Sequence, residues 1–62
     1  MKLSEEEAKV LELVSLGYNN KEISIQLNYS IRTVARRIKK LLDLYKVKSR
    51  LLLAQEFLME KL

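Results

Sequence analysis

The stretch from Ser30 to Tyr45, Ser-Ile-Arg-Thr-Val-Ala-Arg-Arg-Ile-Lys-Lys-Leu-Leu-Asp-Leu-Tyr, restricts the fold more than any other part of the chain. It contains neither Gly nor Pro, and its apolar residues recur at helical rather than strand spacing. Wound at about 100° per residue, Val34, Ile38, Leu41 and Tyr45 fall within about 60° of one another. Nearly opposite runs a second strip, Arg32, Ala35, Arg36, Lys39 and Asp43, flanked on one side by Thr33, Arg37 and Lys40. A helix divided in this way has one edge to bury and another to present. Ser30 suits its N-cap, with an oxygen available to the amides of Arg32 or Thr33.

The segments around it carry the same signals. Ser4 and Glu7 have capping-box spacing, and Glu5, Glu6 and Glu7 suit the positive end of a helix dipole. Ala8, Val10, Leu11, Leu13, Val14 and Leu16 would then form a buried stripe, ended by Gly17, the only glycine in the chain. Asn20 is the expected cap of a short second helix, in which Ile23 and Leu27 lie one turn apart and Ser24 permits close helix approach. Asn28 tolerates a left-handed turn, and Tyr29 is expected to be an apolar plug between helices. Lys46-Val47-Lys48-Ser49 breaks the pattern, and Ser49 can cap a last helix. That helix has three apolar stripes: Leu51, Ala54, Leu58 and Leu62; Leu52 and Met59; Leu53 and Phe57. The sum is an all-α fold of four helices at about 4–16, 20–27, 30–45 and 49–62, in one domain spanning 1–62. The second and third, joined by a short turn, have the form of a helix-turn-helix.

Charge is unevenly placed. Residues 1–30 set Lys2, Lys9 and Lys21 against Glu5, Glu6, Glu7, Glu12 and Glu22, a net of −2. Residues 31–50 set Arg32, Arg36, Arg37, Lys39, Lys40, Lys46, Lys48 and Arg50 against Asp43 alone, a net of +7. Such crowding opposes the compact state unless a polyanion relieves it. The chain has no Cys, no His and a single Asp, and Glu5, Glu6 and Glu7 are accounted for as helix-start residues. No catalytic constellation remains, and neither cofactor nor metal is expected. No apolar run approaches the ~18 residues of a membrane span, and the start is too acidic for a signal peptide. A soluble, cytoplasmic, nucleoid-associated protein with no membrane partner is the expectation.

Four blocks of the sequence resemble, in register and without gaps, the LuxR-type (GerE-type) helix-turn-helix domain of bacterial transcription regulators. Leu3, Ser4 and Glu7 match its opening. Gly17-Tyr18-Asn19-Asn20-Lys21-Glu22-Ile23-Ser24 matches its Gly-x-Ser-Asn-Lys-Glu-Ile-Ala. Leu27-Asn28-Tyr29-Ser30-Ile31-Arg32-Thr33-Val34-Ala35 matches its Leu-x-Ile-Ser-x-x-Thr-Val-Lys, and Val47-Lys48-Ser49-Arg50 its Val-x-x-Arg. The resemblance implies a third helix that reads the major groove and a fourth that often dimerises. It also implies DNA-facing roles for Asn20, Lys21, Arg32, Thr33, Ala35, Arg36, Lys39 and Lys40. Ala35 departs from the usual Lys, and Arg37 and Lys40 from the usual His and Asn. Tyr45 stands for the usual Leu, and Leu44 for a common Lys.

The expected function is therefore sequence-specific binding of double-stranded DNA in transcription regulation. Arg32, Ala35, Arg36 and Lys39 would read bases, while Asn20, Lys21, Thr33, Arg37, Lys40 and Lys48 would hold phosphates. Leu51, Ala54, Leu58 and Leu62 would pair two copies into a homodimer, with RNA polymerase or another regulator as a further partner. The competing expectation is a protein–protein adaptor, or a sigma-factor-like module without DNA specificity of its own. A third is the output piece of a longer regulator.

Overall fold

The computed structural model describes residues 2–62. It contains four helices: α1 (Glu5–Ser15), α2 (Asn20–Leu27), α3 (Ile31–Tyr45) and α4 (Arg50–Glu60). No strand occurs among the described residues, so the fold is the expected all-α arrangement.

Every helix begins under a side-chain cap. Ser4, Ser30 and Ser49 accept from the amides of Glu7, Thr33 and Leu52. The cap of α2 is Asn19, not Asn20. Its Oδ1 accepts from the Glu22 amide at 2.8 Å, and the Glu22 carboxylate accepts from the Asn19 amide at 2.8 Å. Spacing explains the correction, because Asn19 has a glutamate three positions on whereas Asn20 has Ile23.

The turns that end α1, α2 and α3 share one construction. Gly17 (φ +92°), Asn28 (φ 59°) and Lys46 (φ 57°) each take a left-handed backbone. The amide after each reaches back five residues, Tyr18 to Leu13 at 3.1 Å, Tyr29 to Ser24 at 3.0 Å and Val47 to Leu42 at 3.1 Å. These bonds satisfy carbonyls that a helix end leaves open. In each turn the residue that donates is apolar in body and packs against the core as a half-buried plug. Tyr29 is thus the plug expected of it. Lys46, read from sequence only as part of a pattern break, occupies the same position as Gly17 and Asn28.

The core is built from Val10, Leu11 and Val14 of α1, Ile23 of α2, Val34, Ile38 and Leu41 of α3, and Leu53 and Phe57 of α4. Leu16 is not in it. The helix has already ended at Ser15, and the cap residue Leu16 is 66% exposed. Leu62 lies beyond the end of α4, fully exposed, so it does not extend the Leu51–Leu58 stripe along a helix. Buried Ser24 keeps its hydroxyl satisfied by donating to the Lys21 carbonyl at 2.7 Å. The Tyr45 hydroxyl donates to Glu60 Oε1 at 3.0 Å, and burial, helped by that carboxylate, pushes its pKa from the usual 10 up to about 12. α1 packs chiefly on α4 and α3, whereas α2 packs chiefly on α3.

The turns yield a paired prediction. A methyl added to Gly17 meets open space, so Gly17→Ala exacts only the backbone penalty, roughly 1–2 kcal/mol. Lys46→Gly removes that same penalty and gains up to about 1 kcal/mol after its extra unfolded-state entropy. Urea midpoints moving in opposite directions support the shared construction; a lower midpoint for both variants contradicts it.

Candidate nucleic-acid interface

Burial of Val34, Ile38 and Leu41 fixes the rotation of α3 and turns its other side outward. Arg32, Ala35, Arg36 and Lys39 all lie on that exposed side. The three cations have no ion-pair or hydrogen-bond partner among the described residues. Unpaired guanidinium groups in a row, with one methyl among them, can donate to base edges and meet an apolar group between them. Asp43 continues the strip and is also exposed.

The flank formed by Thr33, Arg37 and Lys40 is different. With Arg36 these residues line a shallow hollow of about 240 Å³. Thr33 is half-buried, and its Oγ1 accepts from the Ser30 hydroxyl at 2.9 Å. Arg37 Nη1 lies 2.8 Å from Glu6 Oε1, with its guanidinium over the Tyr29 ring. Lys40 Nζ stands 3.7 Å from Glu7 Oε2, a looser contact in which the lysine side chain is 70% exposed. The Ser4 amide and hydroxyl, and then Lys40, hold the Glu7 carboxyl below its ordinary pKa. The acidic start of α1 therefore faces the basic flank of α3.

Lys21 is exposed in the first turn of α2, and Lys48 is exposed between α3 and α4. Asn20, half-buried, accepts at Oδ1 from Arg50 Nη1, and its amide NH₂ makes no hydrogen bond among the described residues. Arg50 Nη2 also donates to the Tyr18 carbonyl at 2.6 Å. No role for Arg50 follows from sequence reasoning, although a signal was present. A cation at the first position of a helix opposes the dipole and needs compensating acceptors. Arg50 finds two, and ties together α2 and α4, whose backbones do not otherwise approach each other.

The residues expected to pair two copies do not share one environment. Leu51 and Leu58 are exposed, whereas Ala54 is half-buried and packs toward the core. Leu53 and Phe57 form the inward stripe of α4. Opposite them, Leu51, Leu58, Leu52 and Met59 surround Gln55, all exposed. The free face of α4 therefore joins parts of two sequence stripes.

The family model GerE, described as bacterial regulatory proteins of the luxR family, matches residues 1–57. Neither the curated proteins nor the solved structures contain a match.

The Arg50 geometry generates a stability prediction. Arg50→Met keeps the apolar stem but strands two acceptors, which should lower unfolding stability by about 2 kcal/mol. Arg50→Lys should recover less than half of the loss, because a lysine cannot present the same fork. Equal urea midpoints for all three proteins would contradict the role.

Proposed function

The chain belongs to the luxR family of bacterial regulatory proteins, a family of DNA-binding transcription regulators, and we propose that it binds double-stranded DNA sequence-specifically with α3 in the major groove. The observation that carries this reading is the strip of exposed, unpaired Arg32, Arg36 and Lys39 with Ala35 beside it. Arginine can hold guanine O6 and N7 with two hydrogen bonds, discriminating by roughly 1–3 kcal/mol, and the Ala35 methyl suits a thymine methyl. Lys21, Thr33, Lys40, Lys48 and the Asn20 amide supply phosphate contacts, and these provide much of the affinity. Lys40, itself exposed, can exchange its long 3.7 Å contact with Glu7 for a phosphate, while Glu7 keeps the bond it accepts from the Ser4 amide. The whole chain acts as one DNA-binding unit.

Two copies meet through the free face of α4, with Leu51, Leu52, Leu58 and Met59 as the apolar contact. Exposed apolar side chains gathered on one helix face support this reading. Such a dimer carries two recognition helices to inverted half-sites roughly 10 bp apart, centre to centre.

Sites selected from a random DNA pool supply the substrate for the test. Arg36→Ala should lower affinity for a selected site roughly tenfold while changing binding to random DNA little. Equal losses on both would remove the base-reading role. Sedimentation at micromolar concentration should show a dimer that Leu58→Glu converts to monomer; a monomer in both cases would remove the pairing of free copies.

A further inference from the structure

Arg37 stands on the flank where the sequence places a phosphate contact, yet its chemistry is engaged inside the molecule. Its Nη1 lies 2.8 Å from Glu6 Oε1, and the Tyr29 hydroxyl donates to Glu6 Oε2 at 2.8 Å. The guanidinium carbon stands 5.3 Å from the centre of the Tyr29 ring, within cation–π range. Each oxygen of the Glu6 carboxylate thus has its own partner. Consistent with this closed set, the neighbouring carboxylate raises the Tyr29 pKa above its usual value. The Arg37 Nε is buried and has no hydrogen-bond partner among the described residues. A guanidinium reaching for phosphate would extend outward and keep that nitrogen wet. Here it folds back over an aromatic ring and gives up the hydration.

We propose that Arg37 is a positioning residue: with Glu6 and Tyr29 it forms a brace that seats α3 against α1, and it does not grip phosphate. The brace joins three elements, α1 through Glu6, the α2–α3 turn through Tyr29, and α3 through Arg37. An exposed ion pair alone would hold little. Stacking, a charge-assisted bond and the second bond to the same carboxylate make this one geometrically specific. Lys40 and Glu7 provide the contrast, since they are 3.7 Å apart, unstacked and free to separate. Orientation matters because hydrogen bonds weaken steeply with angle, so a tilted α3 loses base contacts before it loses charge attraction. The functional half of the proposal rests on DNA reading by α3; the stability half does not.

A charge exchange tests it on the whole chain. Glu6→Arg, Arg37→Glu and the double variant are compared by thermal unfolding without DNA, and by binding to selected and random DNA over a salt series. The brace requires both single variants to melt earlier and the double variant to recover. It also requires Arg37→Glu to lower the selected-to-random affinity ratio about tenfold and the double variant to restore it within about threefold. If Arg37 grips phosphate, the double variant stays weak, its salt slope falls by about one, and the proposal is overturned. Glu6→Gln serves where a single variant does not fold. It should lower the ratio with an unchanged salt slope, whereas tighter binding with a slope steeper by about one would mean Glu6 withholds Arg37 from DNA. Absence of DNA binding in the parent would sink the function proposed above. The brace would then stand on melting recovery in the double variant, and fall without it.

Discussion

Leu11 of α1, Leu41 of α3 and Leu53 of α4 expose no surface at all, and the geometry of the molecule depends on their burial. A chain of 62 residues covers only about 60% of the surface it exposes unfolded, so little apolar area is available to orient each helix. For α3 the consequence is direct. The rotation that buries Val34, Ile38 and Leu41 is the rotation that presents Arg32, Arg36 and Lys39. Core packing and the basic strip are therefore one constraint seen from two sides.

Charge is managed in the same economical way. The +7 carried by residues 31–50 would strain so small a body, but the fold meets part of it internally. Glu6 faces Arg37 and Glu7 faces Lys40, while both glutamates also occupy the helix start where the dipole favours them. Arg50 donates to Asn20 and Tyr18. What remains unmatched on α3 is concentrated on the outward strip, which sharpens the contrast between that strip and its flank.

Much of this was legible in the sequence because its causes are local. Ser4 with Glu7, Ser30 before its amphipathic run, and Gly17 after the first helix act over three or four residues. The outward strip of α3 followed from periodicity alone. The errors have local and tertiary causes. Asn19 and Asn20 are chemically identical, and only the position of Glu22 separates them. Leu16 continues an apolar pattern past the point where the backbone turns. On α4 several leucine stripes compete, and only the fit against α1 and α3 turns Leu53 and Phe57 inward. The engagements of Arg37 with Glu6 and of Arg50 with Asn20 lay furthest from view, since these partners stand 31 and 30 residues away in the chain.

Arg50 has a consequence for communication across the fold. It ties the first turn of α4 to the first turn of α2, although the backbones of the two helices do not approach each other. A shift of α4 at that guanidinium loads the Asn20 side chain, and a ligand that orders Asn20 loads α4 in return. Linkage makes such coupling reciprocal, so whatever factor one event imposes on the affinity of the other is imposed back in equal measure. The single arginine at the head of α4 thus links this helix to the first turn of α2, in addition to the direct packing by which α4 touches α3.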